Sequence, residues 1–122
     1  MALTDEDPLT ELTEIHQKAI KKLEKLGYQV MEEVRFPPYV VDIYIPDLHI
    51  GVEVDGPHHV EKRDIKRDNV LYEEYNLPII RLNQKESTNS ALIKRTMKEA
   101  VKLFQESASI RFDEIQDKVP WL

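Results

Sequence analysis

An α/β fold with a mixed central sheet flanked by helices, in the order αβββαβα, is predicted by three features of the sequence. Apolar residues recur at three- and four-residue steps over residues 9–26 and again over 89–106, the period of amphipathic helices. Between them, residues 28–56 hold three runs rich in β-branched and aromatic residues, broken by Pro- and Gly-containing turns. A short apolar run, residues 77–83, follows a polar helical stretch, as a strand does when it returns to a sheet beside an earlier one.

Residues 1–8 read as a lead-in. Leu9, Leu12, Ile15, Ala19, Ile20, Leu23 and Leu26 mark the inward stripe of the first helix, with Asp7 or Thr10 as its cap and Gly27 as its stop. YQVMEEVRF (28–36) is the first strand, and Pro37-Pro38 ends it. YVVDIYIP (39–46) is the second, closed by a Pro46-Asp47 turn. In LHIGVEVDG (48–56) Ile50, Val52 and Val54 alternate with His49, Gly51, Glu53 and Asp55, which predicts a third strand and an antiparallel meander. A polar helix over 61–75 turns Ile65, Val70, Leu71 and Tyr75 inward, LPIIRLN (77–83) forms the last strand, and the final helix buries Leu92, Ile93, Met97, Val101 and Phe104. Residues 1–106 read as a single domain and 107–122 as a less regular C-terminal extension.

A chain of 122 residues with 41% hydrophobic and 33% charged residues has the composition of an ordinary soluble domain. No apolar run approaches the ~20 residues of a membrane helix. The acidic start, MALTDEDPLTEL, lacks the pattern of a secretory signal, so a cytoplasmic location and no membrane partner are expected. The absence of cysteine excludes disulfides and thiolate metal sites, which leaves carboxylates, histidine, carbonyls and water as ligands. The net charge of −6 argues against a protein that coats nucleic acid. It is compatible with a nuclease, because metal-dependent nucleases concentrate carboxylates at their sites.

GVEVDGPHHV (51–60) gathers two of the three glycines and two of the four histidines around Glu53 and Asp55. Alternation along a strand puts Glu53 and Asp55 on one face. A turn centred near Asp47 sets Asp42 opposite residue 52 or 53. Three converging carboxylates repel one another unless protonated or bridged by a cation. Mg²⁺ or Mn²⁺ suits such an oxygen set and can activate water and neutralise a scissile phosphate. The alternative is a solvated sheet face, with His58 and His59 as surface residues. Just beyond, Lys62, Arg63, Lys66 and Arg67 open a helix. They either bind phosphates with the helix N-terminus or form ion pairs with Asp64 and Asp68 on a solvated surface.

YVVDIYIP, EVDGPHH, DIKRDNVL and LPIIRLN occur in this order within residues 12–83. Together they resemble the PD-(D/E)XK nuclease superfamily, and within it the small very-short-patch-repair-like (Vsr-like) endonucleases, with their "E-x-D-G-x-x-H" and "D-x-x-R-x-x-x-L" signatures. The resemblance implies a restriction-endonuclease-like core and hydrolysis of phosphodiester bonds in DNA with Mg²⁺ or Mn²⁺. It implies Asp42 and Glu53 as metal ligands, and Asp55 at the position where many members carry a catalytic lysine. His59 would be general base or ligand, with His58 its neighbour on the nucleic acid. Asp64 and Arg67 match the helix signature and Arg81 the arginine of the last strand. Lys62, Arg63, Lys66 and Arg67 would contact nucleic acid, and Arg67 or Lys62 would supply the positive charge the missing lysine leaves. Where relatives carry a glutamate on the first helix, this chain has His16, either a substitute near the metal or a core-edge histidine. A double-strand cut would require two sites and hence a homodimer, while a monomer would nick. An RNA-directed nuclease, or a catalytically silent binding module on the same fold, is the alternative.

Overall fold

Four strands form one mixed sheet in the order β1-β2-β3-β4 in the computed structural model, which describes residues 8–56 and 61–122, with side chains from Glu14 onward. Strands β1 (Met31–Phe36), β2 (Tyr39–Ile45) and β3 (Ile50–Val54) make two antiparallel hairpins, and β4 (Ile79–Leu82) lies parallel to β3. The helices are α1 (Pro8–Lys25), α2 (Glu61–Tyr75), the single turn α3 (Gln84–Ser87), α4 (Ser90–Phe104) and α5 (Ala108–Asp113), followed by a 3-10 turn at Gln116–Lys118. No described helix is long and apolar enough to cross a membrane.

Local chemistry accounts for the boundaries. Pro8 opens α1, where its missing N–H costs nothing. Thr10 therefore lies inside the helix rather than at its cap, and Asp7 is outside the described residues. Gly27 ends the helix at φ +98°, a conformation that a side chain would strain. Asn89 caps α4 by accepting from the Ala91 and Leu92 amides at 3.0 and 3.1 Å. Strand β3 starts later than the alternation predicts. Leu48 and His49 belong to the β2–β3 turn, their amides bonding the Ile45 and Pro46 carbonyls.

Two cores cover the two faces of the sheet. On one face, Ile15, Ala19 and Leu23 of α1 and Ile93, Met97 and Ala100 of α4 meet Ile43, Ile45, Val52 and Leu82. On the other, Leu71 and Tyr75 of α2 join Val34, Phe36, Val41 and Tyr44. Residues 107–122, expected as an irregular extension, complete this second core by burying Ile115 and Val119. Gly51 lets Val41 of β2 and Ile79 of β4 close over β3 on the α2 face. A Cβ there would stand 2.6 Å from Ile79 Cδ1 and 2.9 Å from Val41 Cγ1. Trp121 closes the outer strand: its indole N–H donates to the Arg35 carbonyl at 2.9 Å, and the Arg35 guanidinium lies 5.2 Å from its ring centroid.

Helix α2 corrects the sequence reading. Ile65, expected inward, is 54% exposed, and Val70 is only half-buried. The inward stripe is instead Asp64, Arg67, Asp68, Leu71 and Tyr75, whose spacing is just as helical. Its first half faces charged groups on the sheet, so apolar periodicity alone picks out the wrong face there.

Candidate active site

The site lies at the open end of the β2–β3 hairpin. The paired ladder ends at Ile43–Val52, and one step beyond it the carboxyl groups of Asp42 and Glu53 come together. Asp42 sits at a local break in the sheet. Val41 faces the α2 core whereas Ile43 faces the α1 core, so β2 switches faces around this residue. Across from it, the β1–β2 register steps from Glu32↔Ile43 to Val34↔Val41, and the intervening Glu33 has φ +49°, strained for a residue with a side chain. Such a break re-aims a strand side chain. Here it brings Asp42 to the rim, where His16 Nε2 of α1 lies 3.5 Å from its Oδ2.

Glu53 is 5% exposed. Burial pushes its pKa up to about 9, helped by the hydrogen bond and negative charge of Asp42 and only partly opposed by Arg67. Burial and the neighbouring Asp42 thus favour the protonated form of Glu53 in the fold. Arg67 of α2 contacts Glu53 Oε1 through Nη2. The same nitrogen donates to the Val40 carbonyl at 2.7 Å, and the guanidinium stands 5.5 Å from the Tyr39 ring centroid.

A second knot lies alongside. Arg81, opposite Glu53 in the parallel β3–β4 register, donates to Asp55 Oδ1 at 2.7 Å and to both oxygens of Asp68 at 2.9 and 2.7 Å. Asp64 Oδ2 is 3.6 Å from it. Burial acts to lower the Arg81 pKa, but Asp68 and Asp55 outweigh that and raise it. Asp55 therefore lies near Glu53 but is bonded to Arg81, and Asp64 and Asp68 bridge α2 to β4 rather than pairing along the helix with Lys62 and Lys66.

Of the residues singled out in the sequence, the fold brings Asp42, Glu53, His16 and Arg67 together, with Asp55 beside them. Lys62, Arg63 and Lys66 are exposed on the outer side of α2. His58 and His59 fall outside the described residues. The sequence reading missed the roles of Asp68, which holds Arg81, and of Tyr39 and Val40, which hold Arg67. The helical spacing of Asp64, Arg67, Asp68 and Leu71 was the available signal.

Five carboxylates, those of Asp42, Glu53, Asp55, Asp64 and Asp68, share this region with the guanidiniums of Arg67 and Arg81. That excess of negative charge and the approach of half-buried Asp42 to buried Glu53 fit a hard divalent cation. Among the described residues no group of three or more acidic or histidine side chains forms a full ligand set. Mg²⁺-type sites commonly need only one or two carboxylates, with water and substrate phosphate completing the shell. No protein-family model matches the chain, and no curated protein or solved structure matches it significantly.

Proposed function

We propose that the chain is a metal-dependent phosphodiester hydrolase acting on DNA in the cytoplasm. More narrowly, we read it as a Vsr-like endonuclease of the PD-(D/E)XK type with a restriction-endonuclease-like core. The observation that carries this reading is the Asp42–Glu53 pair, two carboxyls from neighbouring strands in contact, one of them buried. Burying a carboxyl beside a second acidic group is costly, and a binding function for the pair accounts for that cost.

Asp42 and Glu53 would hold Mg²⁺ or Mn²⁺, which when bound supplies an acidified water and neutralises charge on the phosphate. A cation held there would compete with the proton that burial favours on Glu53, so cation affinity would rise with pH. His16 sits where it orients the Asp42 carboxylate. In hydrolysis, a water oxygen would bond to phosphorus as the bond to the leaving deoxyribose oxygen breaks, and that oxygen would take a proton from solvent. His59 accepts the proton of that water, and Lys62, Arg63 and Lys66 with His58 contact the backbone of the nucleic acid. A double-strand cut would need a homodimer.

The test is cleavage of supercoiled plasmid and of short single-stranded, mismatched and branched DNAs in Mg²⁺, Mn²⁺ or EDTA. The expected result is metal-dependent cutting that falls at least ~100-fold in Asp42→Ala and Glu53→Ala, as when a group acting on transition-state charge is removed. Cutting of RNA alone would redirect the substrate. No cutting of any substrate by folded wild type would favour a catalytically silent module. One observation favours that second reading: Glu53 already has Arg67 in contact with it, so the pair has a cationic neighbour without a metal.

A further inference from the structure

The geometry points to Arg67 as a cation with two successive partners: Glu53 in the metal-free protein, and the scissile phosphate once a divalent cation takes the Glu53 carboxylate. This rests on the reading of Asp42 and Glu53 as metal ligands.

Arg67 reaches the site from α2 but is held there by β2. Its Nη2 donates to the Val40 carbonyl at 2.7 Å, and its guanidinium stands 5.5 Å from the Tyr39 ring centroid. Neither contact involves Glu53. When a cation takes the carboxylate, these two contacts keep the guanidinium at the rim. A dication beside Glu53 repels a guanidinium and attracts a phosphate, so the change of partner follows the charge. Arg67 also has donors to offer. Its contact with Glu53 uses Nη2 alone, and its Nη1 is 3.9 Å from Asp68, beyond hydrogen-bond reach. A planar guanidinium with a free edge is suited to phosphate oxygens.

The other cations near the site do not fit this role. Arg81 is saturated by Asp55 and Asp68. Lys62, Arg63 and Lys66 are exposed on the outside of α2. They suit contacts along a nucleic-acid backbone rather than the reacting phosphate.

A resident counter-ion competes with the metal, and a phosphate ligand assists cutting. Removing Arg67 therefore moves the two readouts in opposite directions, which a merely structural residue does not do. The experiment is Mn²⁺ titration by calorimetry at pH 8 on folded wild type, Arg67→Met and Arg67→Lys, followed by DNA cleavage at saturating Mn²⁺. Wild type is expected to bind Mn²⁺ and Glu53→Ala to lose that binding. Arg67→Met is expected to bind about tenfold more tightly, the scale of one charge-assisted hydrogen bond. It is expected to cut at least ~100-fold more slowly at saturation. Arg67→Lys, which keeps the charge but not the planar contact with Tyr39, should move both readouts the same way by less, and it carries the test if the methionine variant does not fold. Unchanged or weaker Mn²⁺ affinity in both variants, or wild-type cutting at saturation, overturns the inference and leaves the metal site standing. Wild type that binds no Mn²⁺ removes the metal site, and the inference with it.

Discussion

The β2–β3 hairpin holds a buried polar group at each end, and the two are treated in opposite ways. At the closed end His49 is fully buried in the left-handed region, at φ +46°. Its Nδ1 is 2.8 Å from the Tyr44 hydroxyl and its Nε2 2.8 Å from the Tyr75 carbonyl. A carbonyl only accepts, so Nε2 carries the hydrogen and Nδ1 accepts from the tyrosine. Phe36, Tyr44 and Phe112 meet the ring edge-on. Arg111 seals the turn by donating to the Leu48 and His49 carbonyls, both at 2.7 Å, and to those of Asn76 and Phe104. Every polar atom of the imidazole has one partner of the right kind. At the open end the buried Glu53 carboxyl faces a second acidic group, Asp42, and burial and that neighbour raise its pKa against the pull of Arg67. The first arrangement is what stability alone requires of a buried polar group. The second is what stability alone would remove, and this difference is the ground on which we propose a function for the open end of the hairpin.

The largest effect that would break this contrast is at the closed end. His49→Ala strands the Tyr44 hydroxyl and the Tyr75 carbonyl and opens a cavity, with an expected loss of about 3–5 kcal/mol in urea unfolding. A loss below ~1 kcal/mol would show that the closed end is not built for stability.

The pH profile sharpens the contrast with a smaller effect, because the two groups act with opposite sign. Burial, and secondarily Arg111, lowers the His49 pKa from 6.5 to about 4, against the Tyr75 hydrogen bond. Its contribution is therefore complete above pH 6.5 and is lost as pH falls toward 4. The Glu53 pKa is raised from 4.5 to about 9, so its contribution is complete below pH 4.5 and is lost as pH rises toward 9. Glu53→Gln should flatten only the alkaline limb of stability against pH in EDTA and leave the acid limb in place. An unchanged alkaline limb would show that Glu53 is ionised in the fold.

The smallest effect concerns the outer side of α2. Lys62→Ala and Lys66→Ala should each weaken DNA binding for all sequences alike and reduce the salt slope by about 1. Unchanged binding in both would remove this surface from the contact.

Much of this was legible in the sequence, for identifiable reasons. Apolar steps located α1 and α4, and β-branched runs located the strands, because both patterns face a core. A turn centred near Asp47 was enough to set Asp42 against residue 52 or 53, and the contact is with Glu53. The rest depended on features a linear pattern does not carry. His49 looked like the polar partner in an alternation but is a buried turn residue, since a positive φ in a residue other than glycine leaves no compositional trace. The inward face of α2 is half charged, so a search for apolar spacing chose Ile65. The change of face at Asp42 lies opposite Glu33 of the neighbouring strand, whose φ of +49° leaves no trace in the sequence. The packing of residues 107–122 was partly readable: Phe112, Ile115 and Val119 recur at helical steps and lie in the second core.

Arg111 also imposes an order on the making of the protein. Its guanidinium bonds carbonyls 62 and 63 positions earlier in the chain. On a ribosome, the β2–β3 turn emerges long before the side chain that closes it. Through that interval the His49 pocket has its aromatic wall from Phe36 and Tyr44 but lacks Phe112 and its lid. The nascent chain thus carries an open seam beside a hairpin that can already pair, and residues made some sixty positions later shut it.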